Sequence, residues 1–279
     1  MAMGPDYRTV SRSSAEVAGI DVGLRQYMLR VYNIMMGGLT MTGLVAFAAV
    51  TFPAVRDVVL PLQWPAMFAT LGIVLFMSFR LHTMKATTAQ LLFWVYAALM
   101  GVWLAPLALH YTGASVAKTF FITAGMFGAM SLYGYTTKRD LSAMGSFLVM
   151  GVFGLLLAMV VNLFLHSPAV DFAVSALGVL IFTGLAAFDT QRIKEWYNEM
   201  DEKSAMEKKA ILGALQLYLD FLNMFLFLLR FLGVARSNSR NREATESYPN
   251  ARARPGRFLL PARKASWRDV RCAAGCRFR

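Results

Sequence analysis

The sequence predicts an all-α integral membrane protein, organised as a bundle of seven transmembrane helices. Of its 279 residues, 57% are hydrophobic and only 16% are charged, and the mean hydropathy is +0.49. A soluble domain usually carries about 25% charged residues. The chain also contains seven apolar runs, each close to the roughly 20 residues that cross a bilayer. They cover residues 31 to 52, 64 to 80, 88 to 110, 118 to 136, 141 to 165, 169 to 190 and 210 to 232.

These runs divide the chain into three parts. Residues 1 to 30 form a polar N-terminal segment, with a disordered start followed by a short amphipathic approach to the membrane. Residues 31 to 232 form the transmembrane domain. Its connections are mostly short or interrupted by proline, so neighbouring helices should be antiparallel and adjacent. Residues 233 to 279 form a basic tail that we expect to be disordered.

The formal net charge of +12 is concentrated in this tail. Residues 236 to 279 contain twelve Lys and Arg against three acidic residues, so the body of the protein is almost neutral and the lipid bilayer, not nucleic acid, is its expected partner. Both cysteines, Cys272 and Cys276, also lie in the tail and cannot form a buried metal site. The motifs of nucleotide-binding loops, zinc proteases and serine hydrolases are missing from the sequence. We therefore expect neither an enzyme nor a resident cofactor.

The distribution of basic residues predicts the orientation. Thirteen Lys and Arg fall in the N-terminal segment and the even-numbered connections, against two on the opposite side. Positive residues stay in the cytoplasm, so the N-terminus should be cytoplasmic. Seven full crossings would then place the basic tail outside. Either the last helix does not fully cross and returns to the cytoplasmic face, or the sequence after about Ala251 is a non-native, read-through or out-of-frame end.

Two acidic residues in apolar surroundings are the candidate functional residues. Asp189 lies near the cytoplasmic end of the sixth run, where it could also be an interfacial acid. Asp220 lies ten residues into the last run, roughly 15 Å deep at 1.5 Å per residue. A charge at the bilayer centre costs about 2.5 to 3.5 kcal/mol, so an acid there predicts a functional site. Gln216 and Asn223 share the helix face of Asp220 and either line a polar path or pack against other helices.

If the two aspartates meet, they cannot both ionise cheaply and would share a proton. The protonated pair could be held shut by one hydrogen bond, whereas the deprotonated pair would repel itself and bind a hard cation such as Ca²⁺ transiently. The pair can meet only if the sixth helix extends past Gln191 and the seventh begins close to Ala210. Arg80, at the end of the second run, either reaches the lipid headgroups or turns inward to a carboxylate.

Two segments of the last runs carry a family resemblance. They are Phe188-Asp189-Thr190-Gln191 and Leu217-Tyr218-Leu219-Asp220-Phe221. Together with the seven-run layout, they resemble the bacterial branch of the Bax inhibitor family, the transmembrane Bax inhibitor motif proteins, over roughly residues 20 to 236.

The resemblance implies a fold in which the other six helices enclose the last helix. It also implies a pH-sensitive Ca²⁺ leak in a bacterial inner membrane, with Asp189 and Asp220 as gate and pH sensor. Arg80 would be the latch partner of this pair. Gln216 and Asn223 would be polar pore-lining residues.

Two function classes follow. The first is a channel-like protein that leaks Ca²⁺ or a similar cation through a gate formed by the two aspartates. The second is a membrane-embedded regulator that binds and restrains a membrane protease or another membrane complex, as some bacterial relatives are thought to do. A proton-coupled transporter would need a substrate cavity that the sequence does not reveal. Purified protein reconstituted alone separates the first two classes, because a regulator should move no ions.

Overall fold

A computed structural model of the chain describes residues 7–80 and 83–236, with side chains from residue 22 onward. The described part is built from eight helices. They are α1 (Tyr7–Thr51), α2 (Pro53–Val59), α3 (Gln63–Arg80), α4 (Ala86–His110), α5 (Gly113–Thr136), α6 (Ser142–Leu165), α7 (Pro168–Glu195) and α8 (Lys203–Leu232). The predictions about the tail beyond Arg236, including its cysteines and its possible non-native end, lie outside the described residues.

The helices are those of an all-α membrane protein. Among the described residues, six helices are long and apolar enough to cross a bilayer: α4 to α8, and α1 from Val22 to Thr51. The short helix α2 and the following α3 meet the same criterion only together, as a pair bent by 62°. The described residues therefore contain six candidate spans, or seven if the bent pair forms one span. The sequence did not predict α2, which starts at Pro53, a residue suited to the first helical position.

The first helix is longer than predicted. We expected a disordered start and a division at residue 30, but the backbone is helical without interruption from Tyr7 to Thr51. Tyr27, Val31 and Ile34 recur at helical spacing on one face and are all buried. Packing on this face stabilises the helix on both sides of residue 30, so the polar segment and the first span form one helix.

The last helix, α8, lies at the centre of the bundle. Of its most apolar stretch, 67% is buried inside the protein, compared with 11% for α6. It packs against α1, α4, α5 and α7, while the main contacts of α3 are with α4 and those of α6 are with α7. The expectation of a central last helix therefore agrees with the packing. Its enclosure by all six other helices does not, because four helices surround it and α3 and α6 are peripheral.

The last helix also runs through the whole bundle. Its 30 residues correspond to about 45 Å at 1.5 Å per residue. It starts at the end of the bundle where Arg30 of α1 pairs with Glu207, which we call the basic end. It finishes at the far end, where the backbone N–H of Val234 donates to Ser115 Oγ at the start of α5. Within the described residues, the last helix therefore runs from one end of the bundle to the other without turning back.

Candidate functional site

The structure brings Asp189 of α7 and Asp220 of α8 into contact. The two carboxyl groups lie within interaction distance, and the residues are only 9% and 5% exposed. The contact is possible because α7 continues to Glu195, well past Gln191, and α8 begins at Lys203, two turns before the predicted start. The helix extensions place both acids below the surface of the bundle, so the difference in depth expected from the sequence disappears.

The chemistry of this contact depends on a proton. A carboxylate only accepts hydrogen bonds, so a hydrogen bond between the two groups forms only when one of them is protonated and donates to the other. Among the described residues, no N–H or hydroxyl donor reaches Asp220 Oδ2, nor Oε1 of Gln216, which lies one helical turn earlier. The site is therefore rich in buried oxygen acceptors and poor in donors. Such a site favours a proton or a hard cation.

The two amide residues beside Asp220 are less buried than the acid itself. Gln216 and Asn223 are both partly exposed. Asn223 Nδ2 donates to the carbonyl oxygen of Leu219, 2.9 Å away on the same helix, so this bond does not join two helices. The polar stripe exists as predicted from the spacing, but its role in lining a pore stays a prediction.

Arg80 is not part of this site in the structure. It is exposed at the end of α3, a peripheral helix that packs mainly on α4, so the predicted latch contact with the aspartates is not formed. The basic residue that lies near Asp189 on α7 is Arg192, one helical turn later. Its guanidinium group lies 5.6 Å from the ring centre of Trp196. Sequence reasoning missed Arg192, although its spacing of three residues from Asp189 places both on one helix face.

The residue after Asp189 connects three helices by hydroxyl groups. Thr190 is fully buried and donates from Oγ1 to the carbonyl oxygen of Ala186, at 2.7 Å. It must therefore accept from Ser131 of α5, whose Oγ lies 2.8 Å from Thr190 Oγ1. Ser131 in turn accepts from the hydroxyl of Tyr32 on α1. This chain of hydroxyl groups leads from the neighbour of Asp189 to the cleft between α1 and α5.

The next residue, Gln191, holds the connection between α5 and α6. Its Oε1 accepts from the backbone N–H of Leu141 at 2.9 Å, and its Nε2 donates to the carbonyl oxygen of Arg139 at 2.8 Å. In the same connection, hydrogen bonds from the side chain and from the backbone N–H of Ser142 lower the pKa of the exposed carboxyl group of Asp140. The segment after Asp189 thus anchors a loop as well as a helix end.

Close packing holds α7 in place around Asp189. A Cβ atom added at Gly134 of α5 would overlap the backbone of Ala187, and one at Gly145 of α6 would overlap the ring of Phe188. Glycine is therefore required for α5 and α6 to approach α7 this closely. Each residue of the Phe-Asp-Thr-Gln motif therefore has its own contact. Phe188 packs against α6, and Asp189 contacts Asp220. Thr190 joins the chain of hydroxyl groups, and Gln191 anchors the loop.

A second polar contact fixes the opposite face of α8. The hydroxyl of Tyr218 lies 2.6 Å from Thr42 Oγ1 on α1, which is also 2.8 Å from the carbonyl oxygen of Ala97 on α4. The ring of Tyr218 packs edge-on against Phe93 and Tyr96, with centroid distances of 5.8 and 5.6 Å. A tyrosine inside an apolar helix needs a partner for its hydroxyl. That need was the available sequence signal for this contact.

Two cavities lie between α1 and α5. The basic-end cavity, of about 650 Å³, is lined by residues that include Arg25, Tyr32 and Ser131. The far cavity, of about 470 Å³, is almost entirely apolar. Phe221, the residue after Asp220, lines both cavities. The basic-end cavity therefore reaches the hydroxyl chain that ends beside Asp189.

Comparison with known proteins assigns the chain to a protein family. Residues 24–238 match the family model described as inhibitor of apoptosis-promoting Bax1. The uncharacterized protein RP147 of Rickettsia prowazekii is 46% identical over 233 residues, which cover 83% of this chain and 99% of that protein. The inner membrane protein YbhL of Escherichia coli K12 is 45% identical over 219 residues, covering 77% and 94%.

The similarity extends to Gram-positive bacteria. The uncharacterized membrane protein SpyM3_0260 of Streptococcus pyogenes is 32% identical over 218 residues, covering 76% of this chain and 94% of that protein. The family match includes both segments that carry Asp189 and Asp220, and it ends close to the last described residue, Arg236. The chain therefore belongs to the Bax inhibitor family and resembles bacterial members of it.

Proposed function

We propose that this protein is a pH-sensitive leak channel for Ca²⁺ or a similar cation, gated by Asp189 and Asp220. The observation that carries the proposal is the close approach of these two buried carboxyl groups on adjacent helices. A buried carboxyl pair is costly in a membrane helix, and its cost suggests a functional use.

The direction of gating follows from the proton that the contact needs. The hydrogen bond persists only while at least one carboxyl group is protonated. When pH rises and the shared proton is lost, two carboxylates at short range repel each other. The arrangement described above is then the closed one, and flux increases as pH rises.

The donor set suits a cation in transit. Ca²⁺ takes six to eight oxygen ligands, chiefly carboxylates, carbonyls and water. Asp189, Asp220 and Oε1 of Gln216 supply some of them, and water would supply the rest. Within the described ranges, no cluster of three or more Asp, Glu, His or Cys side chains could hold a metal ion tightly. This favours transient binding of the cation during permeation over a site that stores the cation.

The neighbouring cavity and the membrane setting support the same proposal. The basic-end cavity reaches Ser131, whose hydroxyl contacts Thr190 beside Asp189. We place the basic end in the cytoplasm, because basic connections stay on that side, and we place the protein in an inner membrane, as for its relative YbhL. The basic-end cavity would then connect the aspartate pair with the cytoplasm.

Ca²⁺ flux into proteoliposomes tests the proposal. The full chain should admit Ca²⁺ faster at pH 8 than at pH 6, and the double variant Asp189→Asn with Asp220→Asn should lose this pH dependence. Asp140→Asn is the matched control, because Asp140 is an exposed acid outside the bundle. Unchanged flux and pH dependence in the double variant would refute the gate. If the purified wild-type chain moved no cation, the regulator of a membrane protease or complex would be the better hypothesis.

A further inference from the structure

The far cavity lies between two helices that have few direct contacts. Both α1 and α5 pack on α8, but among the described helices they are not extensively packed on each other. Residues of both helices line the cavity. Its lining on α1 extends from Leu39 to Val50, which spans about 16 Å at 1.5 Å per residue. That is about half of the roughly 30 Å hydrocarbon core of a bilayer.

The walls and floor of this cavity are apolar. The lining residues are mostly Leu, Val, Ala and Phe from α1, α4, α5 and α8. At the deep end, the ring of Phe221 packs edge-on against Phe120 and Phe127, with centroid distances of 5.6 and 5.5 Å. An apolar pocket of this length inside a bilayer is more favourable for hydrocarbon than for water or ions.

A single formal charge marks the mouth of the cavity. Arg236 is the only charged residue among the lining residues. Its position is set by the segment after α8, where Ala235 pairs with Tyr111 and Arg236 Nε donates to the carbonyl oxygen of Tyr111 at 3.0 Å. A guanidinium group binds phosphate well and repels cations. The charge at the mouth is therefore complementary to a lipid phosphate and unfavourable for Ca²⁺.

We propose that the far cavity is a phospholipid-binding site. One acyl chain of a phospholipid in the far leaflet enters between α1 and α5 and ends near Phe221, and the headgroup phosphate binds Arg236. The site does not depend on the proposed Ca²⁺ flux. Through Phe221, the bound chain contacts the residue next to Asp220.

Two pairs of variants test the site. A Cβ at Gly43, which lines the cavity, meets no atom within 4 Å, and the same holds for Gly154 on the exposed face of α6. Gly43→Leu therefore fills the cavity without a backbone clash, and Gly154→Leu is its control. Arg236→Gln removes the charge at the mouth. Its control is Arg230→Gln, because Arg230 lies at the same end of α8 but does not line the cavity.

The measurement is native mass spectrometry of the full chain extracted in mild detergent, with thermal unfolding of each variant as a folding check. We expect one bound phospholipid on the wild type and on both controls. Gly43→Leu and Arg236→Gln should each retain it about tenfold less well, because several methylene groups or one charge-assisted contact are lost. Equal retention in Gly43→Leu and wild type would overturn the proposal, as would co-purification of a free fatty acid in place of a phospholipid.

Photo-crosslinking of the wild type provides an independent readout. A phosphatidylglycerol probe with a diazirine at the acyl terminus, in nanodiscs, should label the stretch of α8 between residues 221 and 229. Labelling spread evenly over all lipid-facing helices would contradict the site even if the variants failed to fold.

Discussion

The carboxyl group of Asp189 on α7 lies against that of Asp220 on α8, and both residues are buried. If this contact closes an ion path, the flux should depend on whether the contact needs a shared proton. A substitution that keeps the contact without this proton should therefore change the flux. Asparagine provides this change, because its side-chain amide donates without a titrating proton.

Asp220→Asn alone should therefore keep the gate closed at high pH. The Asn amide can donate to the carboxylate of Asp189, and a hydrogen bond to a charged group contributes about 1.5 to 3 kcal/mol. We expect Ca²⁺ flux at pH 8 to fall by about tenfold or more relative to wild type, with little change at pH 6. The measurement is Ca²⁺ uptake by proteoliposomes between pH 6 and pH 8. If Asp220→Asn leaked Ca²⁺ as fast as wild type at pH 8, this mechanism would be contradicted.

Replacing Arg192 should change the pH response, whereas replacing Arg80 should not. Arg192 lies three residues after Asp189 on the same helix face, and a nearby positive charge favours the ionised form of a carboxyl group. In Arg192→Gln, the pH of half-maximal flux should therefore move upward, because the carboxyl group of Asp189 loses a positive charge that favours its deprotonation. Arg80→Gln is the matched comparison, because Arg80 is exposed on peripheral α3. The opposite pattern, with a shift for Arg80→Gln alone, would establish Arg80 as the latch that the sequence suggested.

The contact between Thr42 and Tyr218 should contribute strongly to stability. Thr42→Val removes the hydroxyl that lies 2.6 Å from the Tyr218 hydroxyl, and it leaves a buried phenol without this partner. Such a loss costs about 1 to 3 kcal/mol. Thr40→Val is the control, because Thr40 is exposed and bonds only to Met36 of its own helix. Thermal unfolding in detergent should show a clearly lower midpoint for Thr42→Val only, and equal midpoints would refute the role.

Gln191 should protect the connection between α5 and α6 from proteolysis. Gln191→Ala leaves the backbone N–H of Leu141 and the carbonyl oxygen of Arg139 without this partner, at a cost of about 1 to 3 kcal/mol. Trypsin should then cleave after Lys138 or Arg139 several times faster. Gln90→Ala, at an exposed position on α4, should leave the cleavage rate unchanged. Identical rates in both variants would show that the loop is held by other contacts.

Gly134 should be intolerant of even a methyl group. In Gly134→Ala, the new Cβ would overlap the backbone of Ala187, so α5 must move away from α7. Overpacking of this kind costs about 1 to 3 kcal/mol. Gly125→Ala on the same helix is the control, since its Cβ would meet no atom within 4 Å, and it should be neutral or slightly stabilising. Unfolding midpoints of the two variants distinguish these outcomes, and a stable Gly134→Ala would contradict the close approach.

The sequence alone was sufficient for most of the long helices of the membrane domain, but it did not predict α2 or the full length of α1. The run predicted over 88 to 110 corresponds to α4 at Ala86–His110, and the run over 141 to 165 corresponds to α6 at Ser142–Leu165. The physical reason is that hydrocarbon demands about 20 apolar residues per crossing. Asp220 stood out for the same reason, because hydrocarbon penalises an isolated acid wherever the helix packs.

Only the tertiary structure decided which polar groups meet. The contact between Asp189 and Asp220 depends on how far α7 and α8 extend and on their relative register, and apolar periodicity does not encode register between helices. The exposure of Arg80, the central position of α8 among four helices and the cavity between α1 and α5 depend likewise on helix placement. The sequence by itself determined the spans and the unusual acid, and packing determined its partner.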